Sequence, residues 1–180
     1  MNFCSRCGQP VTHEVPPGDN RPRYVCRACG QVHYENPRLV VGCVPEFQGM
    51  IMLCRRAIEP RHGYWTVPAG FMEIGETLGE AAIRETWEEA EATVELGTMF
   101  VVVDVVQARQ VHVFFRGALR DGRFGAGDET LESRLFTPDA IPWQEIAFPS
   151  VTIALEEYLR DPKRGEGPVH LASAPRLRLA

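Results

Sequence analysis

The sequence predicts an α/β fold, a sheet held between helices, with a small separate module in front of it. Three observations predict this. Apolar β-rich runs alternate with two helix-like segments, that pattern begins only near Arg38, and four of the six cysteines fall within the first 29 residues. A chain of 180 residues allows one ordinary domain with such an addition. With 44% hydrophobic and 24% charged residues, the bulk carries enough apolar surface to fold as a soluble globule. No apolar run approaches the roughly 20 residues that span a bilayer, and the opening Met-Asn-Phe-Cys-Ser-Arg-Cys lacks a signal-peptide core. A cytoplasmic protein without a membrane partner is expected.

Residues 1–37 are rich in Cys, Pro, Gly and Arg and have no periodicity long enough to build a core, so something other than hydrophobic burial must hold them. Cys4-Ser-Arg-Cys7-Gly8 and Cys26-Arg-Ala-Cys29-Gly30 are two C-x-x-C-G units with 18 residues between Cys7 and Cys26. The two-residue gap lets both thiolates of a unit bind one tetrahedral ion, and the following Gly lets the backbone turn tightly beneath the sulfurs. The spacing fits a Cys4 zinc ribbon. Disulfides are disfavoured without a secretion signal, and a redox C-x-x-C belongs on a βαβ frame that this segment lacks. Structural Zn²⁺ on Cys4, Cys7, Cys26 and Cys29 is expected, with its binding supplying the folding energy of the module. His33 is read as a bystander, and Cys43 and Cys54 as small buried residues.

The composition shift at Asn36-Pro37 marks the boundary of the main domain, residues 38–160. Residues 39–44 and 50–54 read as strands joined by a Glu-Phe-Gln-Gly hairpin turn. After a loop over 59–63, Trp65-Thr-Val begins a short strand that Pro68 and Gly70 stop. Residues 77–91 read as a helix, with Thr77 as N-cap and Glu80 completing a capping box. Residues 101–106 and 111–115 are β-rich, 121–128 hold three Gly and form a loop, 135–136 are a brief strand and 151–159 a final helix. Residues 161–180 are expected to be a tail.

Net charge is −5, but residues 1–38 carry +2 and the rest −7. An acidic body argues against a nucleic-acid partner for the whole chain, and the excess in front permits RNA contact without requiring it. Within the helix, Glu85, Glu88 and Glu89 stand at i, i+3 and i+4, on one face. Like charges at these separations repel unless a cation binds among them or neighbours such as Arg84 neutralise them. Hard oxygen ligands suit Mg²⁺ or Mn²⁺, which share substrate phosphates. Gly70 and Gly75 precede the helix in a loop able to approach a ligand closely, delivered from the end of a strand.

Here the sequence resembles the Nudix hydrolases, whose signature is G-x5-E-x7-R-E-U-x-E-E-x-G-U with U bulky and apolar. Gly70, Glu76, Arg84, Glu85, Glu88 and Glu89 occupy its positions and Thr86 its first U. It departs at its end, with Glu91 where Gly is usual and Ala92 at the last U. The resemblance implies a Nudix-type α/β/α sandwich with a mixed sheet, and an enzyme cleaving pyrophosphate bonds. It implies Glu85, Glu88 and Glu89 as divalent-metal ligands joined by the Gly70 carbonyl, and Arg84 as the residue orienting them. Glu129 matches a later carboxylate of the metal-binding set, with Glu132 as second choice, and one of the glutamates, with Glu129 as the candidate, is expected to accept the proton of the attacking water.

The front ribbon is similar to that of the zinc-bearing subgroup containing NADH pyrophosphatases. The S-Q-P-W-P-F-P-x-S array of those enzymes is missing, which disfavours NADH. The combination of ribbon, Asn36-Pro37, Gly63-x-Trp65-Thr-x-Pro-Ala-Gly70 and Leu131-Glu-x-Arg-Leu-Phe136 is closer to the plant FAD and ADP-ribose pyrophosphatases. A small nucleoside diphosphate substrate cleaved to AMP plus a phosphorylated product is therefore expected, with RNA-cap removal or nucleotide sensing without turnover as alternatives. Arg55 and Arg56 are candidates to hold phosphate. Trp65 and Phe71 are candidates to stack on a base. The resemblance also implies a homodimer.

Overall fold

The computed structural model describes residues 1–161 and 167–175, and the chain divides into two compact units, Met1–Pro37 and Arg38–Ala180. The first unit contains three short strands, β1 (Thr12–Glu14), β2 (Arg23–Val25) and β3 (Val32–His33), paired antiparallel in the order β1-β2-β3. Each is two or three residues long, too short to bury a core, in keeping with a unit held by its cysteines.

The second unit is built from β4 (Arg38–Phe47), β5 (Met50–Arg56), β6 (Trp65–Thr66), β7 (Ala69–Phe71), α1 (Leu78–Ala90), β8 (Val94–Val105), β9 (Gln110–Leu119), β10 (Thr130–Phe136), α2 (Pro149–Arg160) and β11 (His170–Ser173). The strands form one sheet ordered β10-β5-β4-β9-β8-β11, with β6 on β5 and β7 on β4. Pairs β4–β9 and β8–β11 are parallel and the others antiparallel, so the sheet is mixed. The β4–β5 hairpin closes on Gln48-Gly49, both with positive φ (51° and 81°), in the turn that the Glu-Phe-Gln-Gly stretch predicts.

Alternation along the strands splits the apolar residues between two faces. Ile51, Leu53, Val101, Val103 and Phe114 pack with Val151, Ala154 and Leu155 of α2. Val41, Cys43, Met52 and Cys54 pack with Ala81, Ala82 and Ala90 of α1. The sheet is thus the middle layer of an α/β/α sandwich. Among the described residues, no helix is long and apolar enough to cross a membrane.

Three elements differ from the sequence reading. β10 begins at Thr130 rather than 135, because exposed Glu132 and Arg134 alternate with inward residues along a strand paired only with β5. β8 starts at Val94, seven residues early. Within the segment expected to be a tail, His170–Ser173 adds a parallel strand along β8, with Ala174 N–H donating to Asp104 O at 2.9 Å. Residues 162–166 and 176–180 of that tail lie outside the described residues.

Candidate active site and cysteine centre

Helix α1 is anchored by its first turn. Thr77 Oγ1 accepts from Glu80 N–H at 3.2 Å, and Glu80 Oε2 accepts from Thr77 N–H at 2.7 Å, the capping box that the sequence predicts. The cap fixes the rotation of the helix, so Ala81, Ala82, Glu85, Thr86 and Ala90 face inward. Thr86 stands where the signature has a bulky apolar residue, and its buried hydroxyl is satisfied by donating to Ala82 O at 2.7 Å. At the other end the helix stops without the usual glycine. Glu91 itself adopts the left-handed conformation (φ 49°) and donates its N–H to Trp87 O.

All five N–H donors of Arg84 are engaged. Nε and Nη2 bind the two oxygens of Glu76 at 3.0 and 2.7 Å, Nη1 binds Glu85 at 2.7 Å and Glu88 at 3.0 Å, and Nη2 also reaches Phe71 O at 3.1 Å. The fork on Glu76 is the bidentate geometry that only a planar guanidinium supplies. Arg84, aided by the Glu73 N–H, holds the Glu76 carboxyl down at about 2. With its donors committed to Glu76, Glu85, Glu88 and Phe71, Arg84 has none left for Glu89.

Glu85 and Glu89 lie where charge is costly. Burial pushes Glu85 up, against the pull of Arg84. Burial also pushes Glu89 up to about 8, assisted by the Glu85 and Glu129 charges and only partly offset by the Ala69 N–H and by Arg56. The Glu85 carboxylate lies so close to the α-carbon of Gly70 that a Cβ there would collide with it. Two desolvated carboxylates, the exposed Glu88 and an unobstructed Gly70 backbone form an all-oxygen donor set, which fits a hard divalent cation. Glu85, Glu88, Glu89, Gly70 and Glu129 all border one cleft of about 840 Å³.

The expected substrate residues separate. Phe71 is 44% exposed and lines the cleft, with Arg38 over its ring at 4.4 Å. Arg56 lines the cleft too, over the Phe148 ring at 5.0 Å and donating to Pro60 O at 3.0 Å. Trp65 is corrected: β6 pairs with β5 and turns the indole into the core, 6% exposed and edge-on to Phe136, so it has no face for a base. Arg55 is corrected as well. It follows Cys54 and precedes Arg56, so it points away from the cleft, donating to Gly63 O at 2.9 Å and Glu132 at 3.1 Å. That same pair removes Glu132 from the cleft wall and leaves Glu129 on it. Sequence reasoning missed the opposite wall, Gln107, Gln110 and His112 with Phe148 and Ser150. No motif marks them. Only the alternation of β9 would have placed Gln110, His112 and Phe114 on one face.

In the first unit the two C-x-x-C-G turns repeat one geometry. Gly8 N–H donates to Cys4 O at 2.9 Å and Gly30 N–H to Cys26 O at 2.8 Å, while Cys4 and Cys26 donate to Gln9 O and Gln31 O. The four sulfurs lie within 4.8 Å of one another, with Cys4–Cys29 at 3.8 Å and Cys7–Cys26 at 3.5 Å. A tetrahedral site with metal–sulfur bonds of about 2.3 Å sets its sulfurs about 3.8 Å apart. Crowding splits the thiols. The Cys29 backbone N–H brings Cys26 down to about 7, whereas neighbouring thiols outweigh the Gln9 backbone and hold Cys7 up at about 12. Such a set ionises together only around a cation. His33 Nε2 lies 3.3 Å from Cys4 Sγ, the position of a hydrogen-bonding neighbour to the sulfur rather than of a fifth ligand.

Comparison with known proteins agrees with this anatomy. Residues 36–155 match the NUDIX domain and residues 2–35 the Nudix N-terminal zinc-ribbon domain. The crystal structure of a NUDIX hydrolase from Nitrosomonas europaea superposes with a TM-score of 0.91 at 45% identity, covering 96% of this chain and 98% of that one. The chain is 28% identical over 131 residues to an ADP-ribose pyrophosphatase of Methanocaldococcus jannaschii, 71% of this chain and 76% of that protein. It is 39% identical over 88 residues to the NAD-capped RNA hydrolase NudC of Chromobacterium violaceum. That match spans 48% of this chain and only 31% of the relative's length. The capped carboxylate helix, its guanidinium clasp and the cysteine module in front are therefore those of a Nudix hydrolase, the family to which this chain belongs.

Proposed function

We propose that the chain hydrolyses the diphosphate bridge of a nucleoside diphosphate derivative of the FAD or ADP-ribose kind, releasing AMP and a phosphorylated remainder. Mg²⁺ or Mn²⁺ would be held by Glu85, Glu88, Glu89 and Glu129 with the Gly70 carbonyl, and Zn²⁺ by Cys4, Cys7, Cys26 and Cys29. The observation that carries the reading is Glu89: a desolvated carboxylate that borders the same cleft as Glu85 and Glu129, feels the charge of both, and receives none of the Arg84 donors. Bound there, divalent ions neutralise the diphosphate and lower the pKa of a water.

The chain's own residues do the rest. Arg84 holds Glu85 and Glu88 in register, Glu129 takes the proton of the attacking water, and Arg56 lies along the cleft in position to meet phosphate. The water oxygen bonds to one phosphorus as the bond from that phosphorus to the bridging oxygen breaks, and the bridging oxygen departs on the other phosphate. Incubation with FAD, ADP-ribose and NADH in Mg²⁺, followed by identification of products, tests this. Release of AMP supports it, and a folded protein that turns over no nucleoside diphosphate derivative refutes it.

The likeness to NAD-capped RNA hydrolases makes capped RNA a second candidate for the same panel. Ligand binding without turnover, unaffected by Glu88→Gln and Glu89→Gln, would identify a sensing module instead. A homodimer belongs to the proposal by resemblance, and sedimentation equilibrium decides it.

A further inference from the structure

The cleft has a second half that the carboxylates do not explain. Strand register aligns three of its residues in one row. Val40 of β4 is the partner of Phe71 on β7 and of His112 on β9, so the three side chains stand side by side on one face of the sheet, and all three line the cleft. Phe71 adjoins Gly70, so the row starts at the metal-binding end and runs away from it. One row further out, Arg38 is the register partner of Gln110. Gln110 Oε1 lies 2.9 Å from His112 Nε2.

We infer that Phe71, Val40 and His112 form a shelf for the nucleobase of the substrate, and that Gln110, oriented by His112, reads the base edge and selects adenine. The inference deepens the diphosphate-hydrolase reading and rests on it. Two of its three side chains are apolar, and the Phe71 ring at one end, with Arg38 over one face, is 44% exposed, as stacking on the other face requires. Burial holds His112 at about 4, so the imidazole is neutral at pH 7 and takes part as a hydrogen-bonding group rather than as a cation. In its Nε2–H tautomer the neutral His112 donates to Gln110 Oε1 across the 2.9 Å contact and so holds the amide oxygen toward itself. The Gln110 amide then offers one donor and one remaining acceptor lone pair side by side. That pattern matches the N6-amine and N7 edge of adenine and mismatches the same edge of guanine, where N7 and O6 are both acceptors, so the base is read on its N7 edge.

Calorimetric titration with AMP, GMP and ribose 5-phosphate in Mg²⁺ tests the shelf apart from turnover. The wild-type protein is expected to bind AMP about tenfold or more tightly than GMP, and both more tightly than ribose 5-phosphate. Gln110→Leu, at a partly exposed position that a folded protein tolerates, is expected to abolish the AMP-over-GMP preference and leave ribose 5-phosphate binding unchanged. Phe71→Ala is expected to weaken both nucleotides alike and keep the preference.

Equal binding of AMP and ribose 5-phosphate by the wild type overturns the proposal. So does an undiminished AMP preference in Gln110→Leu. Hydrolysis of ADP-ribose is scored separately. AMP selection through Gln110 without any hydrolysis keeps the shelf and refutes the enzyme reading, whereas hydrolysis with the preference intact in Gln110→Leu does the reverse.

Discussion

Arg84 and Glu76, eight residues apart, are joined by two parallel N–H···O bonds of 3.0 and 2.7 Å that fasten the loop after Gly70 to the middle of helix α1. Arg84→Lys keeps the charge but replaces five donors in a plane with three on a point, so it cannot hold Glu76, Glu85, Glu88 and the Phe71 carbonyl together. Activity is expected to fall roughly 100-fold through kcat, as for loss of an orienting outer partner at a metal site. Steady-state kinetics with circular dichroism to confirm folding checks it.

The same clasp sets an acid limit. The Glu76 carboxyl is held at about 2, below its ordinary 4.5. Its contribution to stability is therefore complete above pH 4.5 and lost as the pH falls toward 2. Thermal melts between pH 2 and 6 should show Glu76→Gln losing stability at the upper end of this range and converging on the wild type at the lower end.

Glu89 works in the opposite direction. Its carboxyl is raised to about 8 by burial, so in metal-free protein its neutral form stabilises the fold fully below pH 4.5, and that benefit disappears as the pH climbs through 8. Glu89→Gln, which keeps the shape and never ionises, is expected to melt higher than the wild type at pH 9 in a chelator, by roughly 1–3 kcal/mol. It should also be inactive in Mg²⁺. Differential scanning calorimetry with and without Mg²⁺ reads both halves.

Glu91 occupies a left-handed conformation that costs a side chain about 1–2 kcal/mol. Glu91→Gly is expected to raise the melting temperature by roughly 2–4 °C, with kcat unchanged because the residue lies outside the cleft.

The four clustered cysteines make a proposal about the front module testable. Metal analysis is expected to find about one zinc per chain. Cys26→Ser should abolish it, and a strong chelator should release it together with amide protection over residues 12–14, 23–25 and 32–33. Hydrogen exchange followed by mass spectrometry makes the check.

Much of this site was legible in the sequence because its parts are close together in the chain. The capping box at Thr77 and Glu80 and the i, i+3, i+4 carboxylates are local patterns, and the C-x-x-C-G units carry fixed spacing. What escaped depends on strand rotation and distant pairing. Trp65 and Arg55 look like cleft residues beside a glycine-rich loop, but the indole packs edge-on against Phe136 in the core and Arg55 is taken up by Gly63 O and Glu132, while their neighbours Thr66 and Arg56 line the cleft. The Gln110–His112 wall has no motif. Strand β11 escaped because four largely exposed residues carry no apolar signal, and their partner on β8 lies some 70 residues earlier.

The parallel joining of β4 to β9 bears on how the molecule forms. Helix α1 lies between them in sequence, inside the large loop that this pairing closes. Distant parallel pairing is slow to form, whereas α1 packs on Val41, Cys43, Met52 and Cys54 of the strands that precede it. The floor of the acidic turn is thus built from nearby chain, and the wall carrying Gln110 and His112 joins it only when the distant strand docks.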